Sequence, residues 1–324
     1  MRDISKAFDK VWHKGLKYKI LNINLPPLTE KLICSFLDDR TAKIKLKSAL
    51  SDIITMHCGV PQGAIKSPTL FTIYTHDSPA STTGTNITYA DDITQISHYE
   101  GKSKNIAALR TKREIEKINE YEDIWKIKTN IHKFKIIQLG ARNKVPIQIN
   151  NNMNHGADDG RILGLKISTQ GYIKHITERK NLAKIALGKL YRFREFNTKI
   201  KTHLVKAFVL PILEYPPIPI HTMSTTQIKR LQKMQNKALR FATNQRHPYT
   251  MTNEQIHEYT KTPALNIRVH QQAQKIWQKL HSREDVTLNE IVERQAEIPN
   301  IRFNYWFKSS LQIINNNEDP APIY

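Results

Sequence analysis

Three aspartates could do chemistry in this 324-residue chain: Asp3, and the adjacent pair Asp91 and Asp92. The pair sits in Thr88-Tyr89-Ala90-Asp91-Asp92-Ile93-Thr94-Gln95-Ile96, where β-prone residues flank two short acids. Asp-Asp suits the tip of a tight hairpin, because short polar side chains tolerate turn geometry. Such a turn holds carboxylates rigidly in the open, within reach of a divalent cation. Nucleotidyl transfer by two metal ions needs carboxylates from separate strands converging on cations roughly 3.5–4 Å apart. The Asp91-Asp92 turn can supply one side of that clamp and Asp3, at the end of a first strand, the other. A bare acidic pair is far more often a solvated turn, so its company has to decide.

That company begins with Cys58-Gly-Val-Pro-Gln-Gly-Ala-Ile-Lys-Ser-Pro68, a tight loop by its two glycines and proline. Ser67-Pro68 suits a helix start, where proline is tolerated at the first position. Farther on, Lys229, Lys233, Lys237 and Arg240 recur at spacings of four, four and three on one predicted helix. A stripe of that kind can follow a nucleic-acid backbone through phosphate contacts, or it can be a solvated helix face.

The elements that must position these residues are read from periodicity. Phe8, Trp12, Leu16 and Ile20 predict an amphipathic helix from residue 8, stopped by Leu25-Pro26-Pro27, and a short helix follows with Leu32, Ile33, Phe36 and Leu37. Ala42, Ile44 and Leu46 alternate with lysines as a half-buried strand, with 53–56 as its partner. Ile106, Leu109, Ile115, Ile118, Tyr121 and Trp125 mark a long helix. Strands are expected at 136–139, around Ile147 and around Leu165, with 150–160 as the loop joining the last two. Residues 174–210 and 224–242 read as helices separated by the proline-rich break 211–219, the second with Ser224 and Gln227 as a capping box. Asn315-Asn316-Asn317 and the prolines beyond read as a frayed end. The class is α+β, with a domain boundary near residue 170.

Composition narrows the partners. Lys plus Arg number 50 against 29 acids, a formal charge of +21, which points to a polyanion such as nucleic acid. Two cysteines, Cys34 and Cys58, cannot build a disulfide framework or a four-cysteine zinc site. With no run of 18 apolar residues and no signal peptide, the chain reads as intracellular, with no membrane partner.

Asp3-Ile-Ser-Lys-Ala-Phe-Asp-Lys-Val11, Gly59-Val-Pro-Gln-Gly63 with Ser67-Pro68, Tyr89-Ala-Asp-Asp92, Asn130 with Lys133, and Leu163-Gly164 occur in order. That series resembles the palm motifs of reverse transcriptases, most closely those of non-LTR retrotransposons of the jockey type. The resemblance continues through Gln235-Asn-Lys237 and Thr252-Asn-Glu254. It implies a polymerase palm over 1–170, a helical thumb over 171–245 and a helical C-terminal extension with a frayed tail over 246–324. It implies Mg²⁺ as cofactor, an RNA template, a DNA primer and deoxynucleoside triphosphates as partners, and a nuclear setting. Asp3, Asp91 and Asp92 would be catalytic metal ligands, Asp92 the weaker third. Phe8 would lie under the incoming sugar, Gln62 and Gly63 would shape the nucleotide pocket, Lys133 would stand near the pyrophosphate leaving group, and Leu163-Gly164 would grip the primer. Asp9 reads as a helix cap or surface acid. The sequence departs from the family at Lys66 and Phe134, where an apolar and a small hydroxyl residue are usual. It also starts at the first palm motif, where family members carry a fingers region ahead of it. The expectation is therefore a fragment of an element's polyprotein, lacking fingers and endonuclease, that alone extends a primer poorly or not at all. The alternative is an inactive relic that binds nucleic acid.

Overall fold

The computed structural model describes residues 1–79, 84–99, 101, 103–139, 144–149, 152–169, 171–221, 223–245, 248–282 and 320–324. The chain is α+β and divides into two compact units, Met1–Ile162 and Leu163–Tyr324.

The first unit opens with strand β1 (Arg2–Asp3), then helices α1 (His13–Leu21) and α2 (Pro27–Leu37). The expected helix from residue 8 is shorter. Phe8–Lys10 is a single 3-10 turn. The amides of Gly59 and Val60 donate to the carbonyls of Val11 and Phe8 at 2.8 and 2.7 Å, which holds 8–12 outside helical geometry. Four two-residue strands follow: β2 (Thr41–Ala42), β3 (Lys45–Leu46), β4 (Ala49–Leu50) and β5 (Ile54–Thr55). β2 pairs with β5 and β3 with β4, so the single predicted hairpin is split in two. Helix α3 (Ser67–Thr75) starts with its proline in the first turn, as the sequence predicts.

Strands β6 (Gly84–Tyr89) and β7 (Asp92–Ser97) then form an antiparallel hairpin, and β1 adds to its far edge in the order β1-β7-β6. Helix α4 (Lys104–Ile124) buries Ile115, Ile118, Tyr121 and Glu122, whereas Ile106 and Leu109 of the predicted stripe are exposed. Residues 136–139, expected as a strand, contribute one isolated bridge from Ile137 to Ala157. The expected loop 150–160 contains strand β9 (Asn152–Asn154), paired with β8 (Ile147–Ile149), and the start of β10 (Asp159–Ile162). Ile4, Val11, Leu16, Ile20, Phe71, Tyr74 and Ile93 lie in the core of this unit.

One buried charge ties the helices of that core together. Lys19 is 3% exposed. Its ammonium donates to the Tyr74 carbonyl and Asp77 Oδ1, both at 2.5 Å, and to Tyr121 Oη at 2.9 Å. It also lies 3.6 Å from the centroid of the Trp125 ring, a cation–π contact. Asp77 opposes its own partial burial through hydrogen bonds from Lys19 and Tyr121, which hold its carboxyl below the ordinary range.

The second unit is helical after strand β11 (Leu165–Ser168): α5 (Ile173–Leu190), α6 (Thr198–Phe208), α7 (Leu210–Glu214), α8 (Pro217–His221), α9 (Thr225–Ala242), α10 (Asn253–Tyr259) and α11 (Leu265–His281). The continuous helix predicted over 174–210 is interrupted because Asn197 caps α6, its side chain accepting from the Ile200 amide. Helix α9 begins at the predicted capping box of Ser224 and Gln227. Leu187, Leu210, Leu213, Leu231, Leu239 and Leu265 are fully or almost fully buried between these helices. The Ile323 amide donates to Asn266 Oδ1 at 3.1 Å, so the last residues are held where a frayed end is expected; Asn315-Asn316-Asn317 lies outside the described residues. Among the described residues no helix is long and apolar enough to cross a membrane.

Candidate functional site

The pairing of β1 and β7 places Asp3 directly opposite Asp92, and Arg2 opposite Ile93. On the other side of β7, Tyr89 also pairs with Asp92. The hairpin loop is therefore Ala90-Asp91, and the expectation that both aspartates occupy the tip is corrected. Asp92 is drawn into the ladder by partners on both sides, leaving Asp91 alone on the turn. Ala90 carries φ of +51°, the positive φ that a two-residue turn of the II′ class demands at its first position. The Asp91 carbonyl accepts from the Ile4 amide at 3.0 Å, which locks the turn against the end of β1.

A second segment, 128–135, runs beside β1. The Ser5 amide donates to Lys128 O and the Asn130 amide to Asp3 O, both at 2.8 Å. The chain then turns, with the Lys133 amide donating to Asn130 O at 3.0 Å. This turn brings Lys133 Nζ to 2.9 Å from Asp3 Oδ2. Asp3, Asp91, Asp92 and Lys133 thus form one cluster from three separate stretches. The Asp92 carboxyl is held above the ordinary range, first by desolvation and then by repulsion from Asp91 and Asp3, against which Lys133 works. The Lys133 ammonium is pushed up by its hydrogen bond and charge interaction with Asp3, with smaller help from Asp91 and Asp92.

A divalent cation is the partner this donor set suits. Carboxylate oxygens are hard ligands, and three acids against one ammonium leave a surplus of negative charge. Among the described residues no three acidic, imidazole or thiol side chains are already positioned around a common metal position. The Asp3 carboxylate holds Lys133 instead.

Support for Asp3 comes from a residue that sequence reading missed. The neighbouring Arg2 points to the opposite face, as strand alternation requires, and is 6% exposed. Its Nη1 meets Glu122 Oε1 at 2.9 Å, its Nη2 donates to the Ile115 carbonyl at 3.4 Å, and its guanidinium lies 5.3 Å from the Phe134 ring centroid. Glu122 also accepts from the Thr129 amide at 3.2 Å and from the Thr129 hydroxyl. One carboxylate thereby joins α4, β1 and the Lys133 segment. Nothing in the composition of so basic a chain marks Arg2 as buried.

The loop residues form a second local group. Phe8 is half-buried with its ring 5.2 Å from that of Phe71. Gln62 is exposed and its Nε2 donates to Asp9 Oδ1 at 2.7 Å, so Asp9, expected as a cap or surface acid, holds the Gln62 amide. Gly63 has φ of +85° with open space around a built Cβ, whereas at Gly59, φ +89°, a Cβ would meet the Asp9 carbonyl oxygen at 2.8 Å. Steric need for glycine is therefore sharpest at Gly59, whose carbonyl also receives Arg40 Nη1 at 2.8 Å and contacts His13 Nε2 at 2.7 Å.

In the second unit, Lys229, Lys233 and Lys237 are exposed along α9 while Leu231, Gln235, Ala238 and Leu239 are buried on the opposite face. Arg240 departs from the stripe. Its guanidinium donates to Met251 O at 3.2 Å and Asn253 Oδ1 at 2.8 Å and stacks 3.7 Å from the Tyr249 ring centroid. Leu163 and Gly164 form a turn with φ of +45° and +83°. Their carbonyls accept from Tyr215 Oη and Arg179 Nη2, both at 2.6 Å.

Comparison with known proteins identifies the family of the chain. The chain is similar to the RNA-directed DNA polymerase from the mobile element jockey of Drosophila melanogaster, 25% identical over 296 residues, covering 86% of this chain and 32% of the relative. It is similar to a probable RNA-directed DNA polymerase from transposon X-element of the same species, 28% identical over 253 residues (74% and 28% of the two chains). A third similarity is to a probable RNA-directed DNA polymerase from transposon BS, 25% identical over 273 residues, 79% of this chain and 30% of the relative. The chain spans about a third of the length of these curated relatives. The family model for reverse transcriptase (RNA-dependent DNA polymerase) matches residues 2–167, which contain the aspartate cluster, Lys133 and the glycine loop. The chain belongs to the reverse transcriptase family.

Proposed function

We propose that this chain carries the palm of an RNA-directed DNA polymerase of a non-LTR retrotransposon, adding deoxynucleotides to a primer 3′-hydroxyl on an RNA template. The observation that carries this reading is the register Asp3 opposite Asp92, with Asp91 on the adjoining turn, inside the segment matched to the family. In this reading Asp3 and Asp91 are the direct ligands of divalent cations, Mg²⁺ in the cell, and Asp92 is a weaker third. A divalent cation held by Asp3 and Asp91 would supply a lowered pKa for the primer hydroxyl and charge neutralisation on the transferring phosphoryl group. Phe8 underlies the incoming sugar, and Gln62, oriented by Asp9, lines the nucleotide pocket with Gly63. Residues 1–170 serve as palm and 171–245 as thumb, with Lys229, Lys233 and Lys237 on backbone phosphates of the primer–template duplex. Residues 246–324 extend the thumb. The site of action in this reading is the nucleus.

A second reading, a basic nucleic-acid-binding protein without turnover, draws on one specific observation: Asp3 engages Lys133, and no metal position is preformed among the described residues. Extension of a DNA primer on an RNA template separates the two. The polymerase reading expects extension, however slow, that requires Mg²⁺, stops on chelation and is lost in Asp3→Asn with duplex binding retained. Duplex binding with no metal-dependent extension in any variant supports the second reading.

A further inference from the structure

We propose that Lys133 is the resident counter-cation of the aspartate cluster, holding the Asp3 carboxylate until a divalent cation displaces it. The proposal rests on the reading of Asp3, Asp91 and Asp92 as metal ligands and adds how the site is kept before metal arrives.

Three observations carry it. Lys133 Nζ lies 2.9 Å from Asp3 Oδ2, on an oxygen that a metal would need. The segment bearing Lys133 is fixed by backbone bonds independent of its side chain, from Asn130 to Asp3 at 2.8 Å and from Lys135 to Met1 at 3.0 Å. The two partners also differ in freedom: the Lys133 side chain is 63% exposed and that of Asp3 17%. The lysine can swing into solvent while the carboxylate stays in place. An exposed flexible ammonium on a fixed carboxylate is a replaceable ligand, and it relieves the repulsion that Asp3, Asp91 and Asp92 would otherwise exert on one another. The same exposure bounds its strength, since exposed ion pairs are weak. It competes with metal without excluding it.

The test is Mn²⁺ binding to the full chain, followed by the loss of the free-ion electron paramagnetic resonance signal. Lys133→Met, close in length and uncharged, should bind Mn²⁺ roughly two- to fivefold more tightly than wild type, the scale of an exposed pair. Lys133→Arg should stay near wild type, and Asp3→Asn should bind far more weakly in either background. Unchanged or weaker binding by Lys133→Met would show that Lys133 props Asp3 in place, and the counter-cation proposal would be wrong while the metal site stood. Absence of saturable binding by both wild type and Lys133→Met would overturn the metal-ligand reading and the proposal with it.

Discussion

Replacing Glu122 with alanine should release the strand that carries Asp3. The Arg2 and Glu122 side chains are 4% and 11% exposed, so their pair is sheltered from screening by solvent. Removing the carboxylate leaves a buried guanidinium with one long bond, 3.4 Å to Ile115 O, and strips the Thr129 amide and hydroxyl of their acceptor. Breaking one side of a buried pair costs about 3–5 kcal/mol. That is a large share of the roughly 5–15 kcal/mol that holds a domain folded. With a urea m-value of about 2–3 kcal/mol/M, the midpoint of the first unit should fall by roughly 1–2 M. Trp12 and Trp125, both packed against that unit's core, report the transition by fluorescence. Asp3 should lose its support at the same time, so Mn²⁺ affinity should fall although Glu122 is no ligand. Glu122→Gln keeps an acceptor for Thr129 and should cost less. A midpoint shift below about 0.3 M for Glu122→Ala, with metal affinity intact, would refute the role assigned to this pair.

Further outcomes follow from other parts of the chain. Gly59→Ala should destabilise the first unit by about 2 kcal/mol or more, from positive φ plus the 2.8 Å approach to Asp9 O, whereas Gly63→Ala should cost only the φ penalty of about 1 kcal/mol; equal midpoints in urea would contradict this. Reversing charge at Lys229, Lys233 and Lys237 together should weaken RNA–DNA duplex binding without regard to sequence and lower the salt slope by about one per lysine. An unchanged slope would make the stripe a solvated face. Burial holds the His257 imidazole below its ordinary pKa, against the Thr262 and Pro263 carbonyls that favour the charged form. The folded helical unit therefore keeps His257 neutral while the unfolded chain takes up a proton below about pH 6.5. Its stability should be fully present above that pH and fall as pH drops toward 5, and His257→Gln should flatten the loss. Parallel pH profiles of wild type and variant melting would contradict the assignment.

What could be read before the structure was the chemistry more than its supports. The order of the motifs pointed to Asp3 and Asp91 as partners across most of the first unit, and the register of β1 on β7 brings their stretches together. The capping box at Ser224 and the proline start of α3 were legible because each depends on neighbours in sequence. What escaped depends on distant backbone. Phe8 to Trp12 have helical spacing, yet the Gly59 and Val60 amides claim their carbonyls. The Asp91-Asp92 tip shifted by one residue because Asp92 gained ladder partners on both sides. The helix over 174–210 is continuous in apolar period but broken by an asparagine cap. Arg2 and Lys19 were lost among 50 basic residues, since no local pattern distinguishes a buried cation from a solvated one. Arg240 fell in the stripe by spacing and left it by stacking on Tyr249.

The central proposal is that Asp3, Asp91 and Asp92, brought together by the pairing of β1 and β7, perform nucleotidyl transfer. Its most direct test is incorporation of a single deoxynucleotide into a DNA primer on an RNA template with Mg²⁺, comparing wild type with Asp91→Asn. Duplex affinity is measured on the same preparations. If Asp91 is a metal ligand as proposed, its loss removes several kcal/mol of transition-state stabilisation, so the rate should fall by about 10³-fold or more with duplex affinity unchanged. Equal incorporation by wild type and Asp91→Asn would contradict the account.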